Sequence, residues 1–194
     1  MLITDTYKNI QQNMHATGDY GVVAGMKYGP LVTQLIDKLE IDAVLDYGCG
    51  SKLSLRDSMS PKRNITYQAY DPCVPEYAAL PEPSEMVVCV DVMEHIEPEC
   101  LDDVLDHLVE LVQVVLFVSV NTGAALKTLE DGRNAHLIQQ PMEWWLPKFW
   151  ERFVIQRFQI TGPKEFYLFA HNMALDIEDG QKTLLPRPIV QDDK

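Results

Sequence analysis

Basic residues are scarce in this sequence, which has 16 Lys and Arg against 29 Asp and Glu and a formal net charge of −13. A surface this acidic repels phosphate backbones and anionic lipids, so a small molecule is a more favourable partner than nucleic acid. No apolar run approaches the roughly 20 residues that span a bilayer, and the first residues lack the basic and apolar regions of a signal peptide. These absences predict a soluble, cytoplasmic protein without membrane contact.

Cysteine is also sparse, and its spacing excludes the common cysteine-based sites. The four cysteines form neither a C-x-x-C pair nor a Cys/His pattern typical of a metal site. They are Cys49, Cys73, Cys89 and Cys100. Free, reduced thiols are therefore favoured over disulfides, and no metal site is predicted.

Strand and helix patterns alternate along the first two thirds of the chain. Apolar residues at helical spacing predict helices over 28–40 and 98–112. Short runs rich in β-branched residues predict strands over 41–48, 65–71, 85–91 and 114–120, followed by a helix from Pro141 and two closing strands at 153–160 and 165–172. This order is typical of an α/β fold in which helices cover both faces of a parallel sheet. We expect one domain over residues 1–174 and a flexible C-terminal tail over 175–194, where Pro, Gly and charge are mixed without periodicity.

The stretch AVLDYGCGSKLSL, residues 43–55, runs from a strand directly into a glycine turn. Gly48 and Gly50 let the backbone turn tightly and approach a ligand. Asp71 follows Gly50 at the end of the next strand, where a carboxylate can accept hydrogen bonds from ribose hydroxyls. A dinucleotide loop would need glycine at Leu53, and no G-x-x-x-x-G-K-[ST] loop is present, which disfavours diphosphate cofactors. A glycine turn without a ligand remains the alternative at this point.

Three successive stretches resemble, in order and spacing, the motifs of one enzyme family. They are VLDYGCGS (44–51), AYDP (69–72) and MVVCVDVMEHIEP (86–98). They are similar to motifs of the class I S-adenosylmethionine-dependent methyltransferases, particularly the small-molecule branch related to ubiquinone-biosynthesis enzymes. The resemblance covers residues 28–120 and extends more loosely to 171. It implies a Rossmann-like sheet of seven strands, mostly parallel with an antiparallel last strand, with S-adenosylmethionine as cofactor and a small-molecule methyl acceptor.

The resemblance also implies a role for individual residues. Asp46, Gly48 and Gly50 would line the methionine part of the cofactor, Asp71 would hold the ribose, Pro72 would flank the adenine, and Val90 and Asp91 would close the pocket. Lys52 departs from the family's third glycine, so the next helix should begin later or pack more loosely on the strand. The Lys52 side chain either meets the methionine carboxylate or is solvated. The stretch between Asp71 and the next strand is too short for the usual helix and strand, so the adenine side should be abbreviated.

His95 and His136 are the candidate catalytic bases. Methyl transfer is an in-line displacement that needs a base only when the acceptor carries a proton. His95 follows the third strand, and His136 lies in a long loop after the fourth, where binding residues concentrate. A histidine that stabilises a turn, or one that faces solvent, is the alternative for each.

The segment 121–145 is predicted to form a lid or wall over the methyl group, with His136 facing the cavity. Three tryptophans follow in or after this segment: Trp144, Trp145 and Trp150. They either form an aromatic wall for a planar acceptor or pack a helix on the sheet.

The stretch after the third strand also narrows the substrate class. It contains neither a [DNS]-P-P-[YFW] motif nor a Pro-Cys pair, so methylation of nucleobase amines or of cytosine C5 is not supported. The sequence predicts a methyltransferase acting on a small molecule. An enzyme that cleaves the cofactor without a methyl acceptor, and a non-catalytic cofactor-binding module, remain open.

Overall fold

A computed structural model describes residues 1–16 and 23–172 of the chain. Its helices are α1 (Asp5–Ala16), α2 (Val23–Leu39), α3 (Ser54–Ser58), α4 (Leu101–Leu111) and α5 (Met142–Trp150). Its strands are β1 (Ala43–Tyr47), β2 (Thr66–Tyr70), β3 (Ser84–Val90), β4 (Val112–Asn121), β5 (Phe153–Gly162) and β6 (Glu165–Asn172). Within these residues no helix is long and apolar enough to cross a membrane. The predicted tail, 175–194, lies outside the described residues.

The strands form one sheet in the order β2-β1-β3-β4-β6-β5. Strands β1 to β4 pair in parallel, whereas β6 is antiparallel to both of its neighbours. The predicted α/β fold and its antiparallel last strand are confirmed. The expected number of seven strands is wrong, because the described residues contain six. The stretch between β2 and β3 forms only a 3₁₀ turn at Pro75–Tyr77, which confirms the predicted shortening.

Two apolar cores, one on each face, hold the helices to the sheet. On one face Leu105 and Leu108 of α4 are fully buried against the strands. On the other face Val32 and Ile36 of α2 are fully buried. Each such side chain contributes roughly 1.5 to 3 kcal/mol by leaving water, so the helical spacing seen in the sequence directly fixes these layers.

Helix α1 lies over the carboxyl ends of the strands and was not predicted. Tyr7 and Ile10 pack in a small third core with Leu129 and Ala135 of the loop between β4 and α5. The Tyr7 hydroxyl donates a hydrogen bond of 2.8 Å to the His95 carbonyl oxygen. A helix and a loop therefore together cover the end of the sheet at which parallel strands bind ligands.

All four cysteines are buried and free. Burial raises the pKa of the Cys73 thiol to about 12 and that of Cys49 further. These thiols are therefore protonated at neutral pH and are poor nucleophiles.

Candidate functional site

A cavity of about 450 Å³ opens at the carboxyl ends of β1 and β3. The chain leaves β1 toward β2 and returns to β3 on the opposite side of β1, which is the switch point where open α/β sheets bind ligands. The volume lies within the roughly 300 to 1,000 Å³ of small-molecule sites. The predicted site residues that line it are Gly48, Gly50, Asp71, Pro72, Asp91, His95 and His136.

The two remaining predicted residues, Asp46 and Val90, line a smaller neighbouring cavity of about 40 Å³. Gly48 and Asp91 line both cavities, so the two cavities adjoin. Asp46 is buried, and its carboxylate accepts a hydrogen bond from the Tyr67 hydroxyl. Burial raises the pKa of Asp46 to about 7, although the Tyr67 hydrogen bond opposes the shift. Such a carboxylate would gain from a cationic partner.

The glycine turn requires glycine for two different reasons. Gly48 has φ 82° and Gly50 has φ 61°, a region that L side chains rarely adopt. A Cβ on Gly48 would lie 2.3 Å from Val92 Cγ2, whereas a Cβ on Gly50 finds only His15 Cε1, at 3.8 Å, among the described residues. Gly48 is therefore confined by packing, and Gly50 leaves cavity space open.

The Asp71 carboxylate is held by the backbone around it. Gly50 N–H donates to Oδ2 at 3.1 Å and Cys73 N–H donates to Oδ1 at 2.8 Å. Each carboxylate oxygen has a second lone pair. The two backbone bonds thus orient the group without exhausting its capacity to accept hydrogen bonds from a ligand.

Lys52 lies in the turn just before α3. Leu53 takes a left-handed conformation with φ 48°, and α3 begins only at Ser54. Lys52 is exposed, in line with the solvated alternative.

His95 and His136 come together on the cavity wall, with perpendicular rings whose centroids are 4.7 Å apart. His95 Nδ1 lies 2.8 Å from the Ala135 carbonyl oxygen, and His136 Nδ1 lies 2.6 Å from that of Gly123. Because a carbonyl only accepts, Nδ1 carries the proton in each neutral ring and Nε2 carries the lone pair. Burial lowers the pKa of His95 to about 4, against the opposing charge of Asp91. His95 is therefore neutral at pH 7.

Two carboxyl groups lie beside these histidines. Asp91 directly follows β3 in a left-handed conformation with φ 56°, and its N–H donates to Ser119 Oγ at 3.2 Å. Glu94 is fully buried. Its Oε1 accepts the Asn121 N–H at 2.7 Å, whereas Oε2 has no hydrogen-bond partner among the described residues. Burial, reinforced by the charge of Asp91, raises the pKa of Glu94 well above its usual value.

Sequence reasoning missed the contribution of α1 to this cavity. Tyr7, Gln11 and His15 line it, and His15 Nε2 lies 3.8 Å from Asp71 Oδ2. The spacing of Tyr7, Ile10 and Met14 is helical and contained a usable signal for the helix. No pattern in the sequence indicated that this helix covers the cavity.

Part of the segment 121–145 lines the cavity, as a lid or wall would. The lining residues of this segment are Asn121, Ala124, Ala125, Leu126, Lys127, Ala135 and His136. That the segment covers the methyl group stays a prediction. No tryptophan lines the cavity, so the proposed aromatic wall is wrong. Trp145 is fully buried in the core under α5, as expected for a helix that packs on a sheet.

No protein-family model matches the chain, and no curated protein is detectably similar in sequence. Several solved structures, however, are similar to this chain in fold. For 1,6-didemethyltoxoflavin-N1-methyltransferase of Burkholderia thailandensis, with bound 1,6-didemethyltoxoflavin and S-adenosylhomocysteine, the TM-score is 0.63 at 14% identity, covering 86% of this chain and 89% of that chain. For magnesium protoporphyrin IX methyltransferase of Synechocystis PCC 6803, with bound S-adenosylhomocysteine, it is 0.52 at 16% identity, covering 76% and 83%. For human N-acetylserotonin methyltransferase in complex with S-adenosylmethionine, the TM-score is 0.52 at 14% identity, and the match covers 75% of this chain and 51% of that chain. The chain therefore has the Rossmann-like fold of the class I methyltransferases.

Proposed function

We propose that this protein is an S-adenosylmethionine-dependent methyltransferase that acts on a small molecule. The observation that carries the proposal is the pair of adjoining cavities at the switch point of the sheet, bounded by the glycine turn and by Asp71. The structural relatives with bound cofactor or its demethylated product, and the three sequence motifs, support the same conclusion.

The cofactor follows the polar groups along the two cavities. Its methionine end lies beside Asp46 and Val90, where the ammonium group supplies the cation that the buried carboxylate lacks. Gly48 and Gly50 let the backbone approach the chain between methionine and sulfur. The ribose hydroxyls donate to the oriented Asp71 carboxylate, and the adenine lies along Pro72.

The acceptor occupies the part of the cavity under α1. Most of the wall there is apolar, with Leu2, Ile3, Ile96, Ala125 and Leu126 among its residues, which suits an apolar or aromatic body. His95 and His136 supply the polar groups opposite it and act on the reacting atom. Positioned groups that assist proton removal contribute about 10²- to 10⁴-fold to rate.

Calorimetry with S-adenosylhomocysteine tests the cofactor site. Losing charge-assisted hydrogen bonds of about 1.5 to 3 kcal/mol each should weaken binding at least tenfold in Asp71→Ala. Asp71→Asn removes the charge and keeps a carbonyl oxygen for only one of the two backbone donors, so it should also bind more weakly than wild type. Asp106→Ala removes an exposed carboxylate and should bind as wild type does. Wild-type affinity in Asp71→Ala would contradict the assignment of Asp71.

Product analysis tests the reaction itself. The protein is incubated with S-adenosylmethionine and a panel of hydroxylated and amino-substituted aromatic compounds, and the products are identified by mass spectrometry. A methylated compound together with S-adenosylhomocysteine is expected. Methylthioadenosine or a lactone without an acceptor would replace the proposal with a cofactor-cleaving enzyme, and tight binding without turnover would replace it with a binding module.

A further inference from the structure

We propose that Asp91, His95 and His136 bind a divalent transition-metal ion in the wall of the cavity. One ligand atom from each of the three side chains lies within 4.8 Å of the other two. The spacing of cysteine and histidine in the sequence predicts no such site, because residues from the end of β3 and from the loop after β4 meet only in the folded chain. The inference rests on the proposed function for the use of the metal, but not for its binding.

The two imidazoles are held as metal ligands usually are. Each directs Nδ1–H at a backbone carbonyl, that of Ala135 for His95 and that of Gly123 for His136. Such outer hydrogen bonds fix the tautomer and the ring orientation of metal-binding histidines and raise their basicity. Nε2 is then the ligating nitrogen of both rings.

The donors also converge in a way that favours a cation. Two imidazole nitrogens and one carboxylate oxygen, all within 4.8 Å of one another, can present three ligand atoms to one cation. Tetrahedral ligands at about 2.0 to 2.1 Å from zinc lie about 3.4 Å apart, so the donors need to close by about 1.4 Å at most.

The donor types select the kind of ion. Imidazole nitrogens favour Zn²⁺, Fe²⁺, Co²⁺ or Ni²⁺ over Mg²⁺, which prefers oxygen ligands. Three protein ligands leave at least one coordination position open to the cavity. Acceptors with a hydroxyl and an adjacent oxygen or nitrogen donor fill such positions best, because they chelate.

A bound ion gives the acceptor hydroxyl a lower pKa, and the hydroxyl releases its proton to solvent. The resulting oxygen anion attacks the methyl carbon of the sulfonium along the C–S axis. The O–C bond forms as the C–S bond breaks, and the electron pair of the C–S bond stays on sulfur. The products are a methyl ether and neutral S-adenosylhomocysteine.

Titration of the chelator-treated full chain with Zn²⁺ and with Co²⁺, in the absence of cofactor, tests the site. One ion per chain is expected. Loss of outer-shell partners costs about 10- to 100-fold in affinity, so loss of a direct ligand in His95→Ala or His136→Ala should cost at least 100-fold. His15→Ala, which removes another histidine of the cavity, and His171→Gln, on β6, should each stay within about threefold of wild type, below the range of about 10- to 100-fold. Equal weakening in all four variants would overturn the proposal.

A measurement on the unmodified chain keeps the test independent of mutant folding. In the NMR spectrum of the Co²⁺ form, two solvent-exchangeable, strongly shifted imidazole N–H signals are expected, one from each Nδ1–H held by a carbonyl. Absence of both signals, or absence of stoichiometric binding, would overturn the site. Metal binding without binding of S-adenosylhomocysteine would refute the proposed function alone, and the reverse result would refute the metal site alone.

Discussion

Within the glycine turn, Gly48 should matter mainly for stability and Gly50 mainly for ligand binding. Alanine substitutions at the two positions test this difference. In Gly48→Ala the new Cβ meets Val92 Cγ2 at 2.3 Å and Cγ1 at 3.0 Å, on a backbone with φ 82°. The left-handed conformation costs an L residue roughly 1 to 2 kcal/mol, and overpacking adds roughly 1 to 3 kcal/mol. The free energy of unfolding should therefore fall by about 2 to 5 kcal/mol.

Gly50→Ala carries the conformational cost without the collision. Its backbone has φ 61°, and the nearest described atom to the new Cβ is His15 Cε1 at 3.8 Å. The loss of stability should be only about 1 to 2 kcal/mol. The methyl group occupies cavity space, however, so affinity for S-adenosylhomocysteine should fall at least tenfold.

Urea unfolding followed by circular dichroism measures the stabilities, and calorimetry measures the affinities. Val92→Ala removes both methyl carbons that meet the new Cβ, so a double-mutant cycle with Gly48→Ala isolates the collision. A favourable coupling of about 1 to 3 kcal/mol is expected. Equal destabilisation by Gly48→Ala and Gly50→Ala, or no coupling with Val92→Ala, would refute the packing explanation.

Three further outcomes follow from single contacts. Because burial raises the pKa of Asp46 to about 7, the folded state binds a proton more tightly than the unfolded chain. As the pH rises from about 4 to about 7, the free energy of unfolding of the wild type should therefore fall relative to that of Asp46→Asn, by up to about 4 kcal/mol. The same pH dependence for both proteins, measured by urea unfolding at each pH, would exclude this effect. In Gly29→Ala the new Cβ would lie 2.0 Å from Ser58 Oγ, so thermal unfolding should show a loss of roughly 1 to 3 kcal/mol that Ser58→Ala partly restores, and no restoration would count against close packing of α2 on α3. Tyr7→Phe removes the donor to the His95 carbonyl and should cost about 1 to 3 kcal/mol with faster amide exchange in α1; unchanged exchange would show that this bond does not anchor the helix.

The part of the cavity that we propose binds the cofactor was predictable because its signals are local. Gly48 and Gly50 follow a strand directly, and Asp71 ends the next strand, so parallel pairing alone brings them to one edge of the sheet. The absence of a seventh strand among the described residues was less accessible. The shortened stretch after Asp71 indicated only that the usual helix and full strand do not fit between Asp71 and the next strand.

The sequence by itself determined the alternation of strands and helices, the glycine turn, and the acids at the strand ends, because hydrophobic period and backbone freedom are properties of neighbouring residues. Tertiary structure alone decided which distant side chains meet. It placed His136 against His95 and Asp91, closed α1 over the cavity through the Tyr7 hydroxyl, and turned Trp145 into the core instead of toward an acceptor. These contacts join segments far apart in the chain, and their geometry is set by how helices and loops pack on the sheet, which no local pattern encodes.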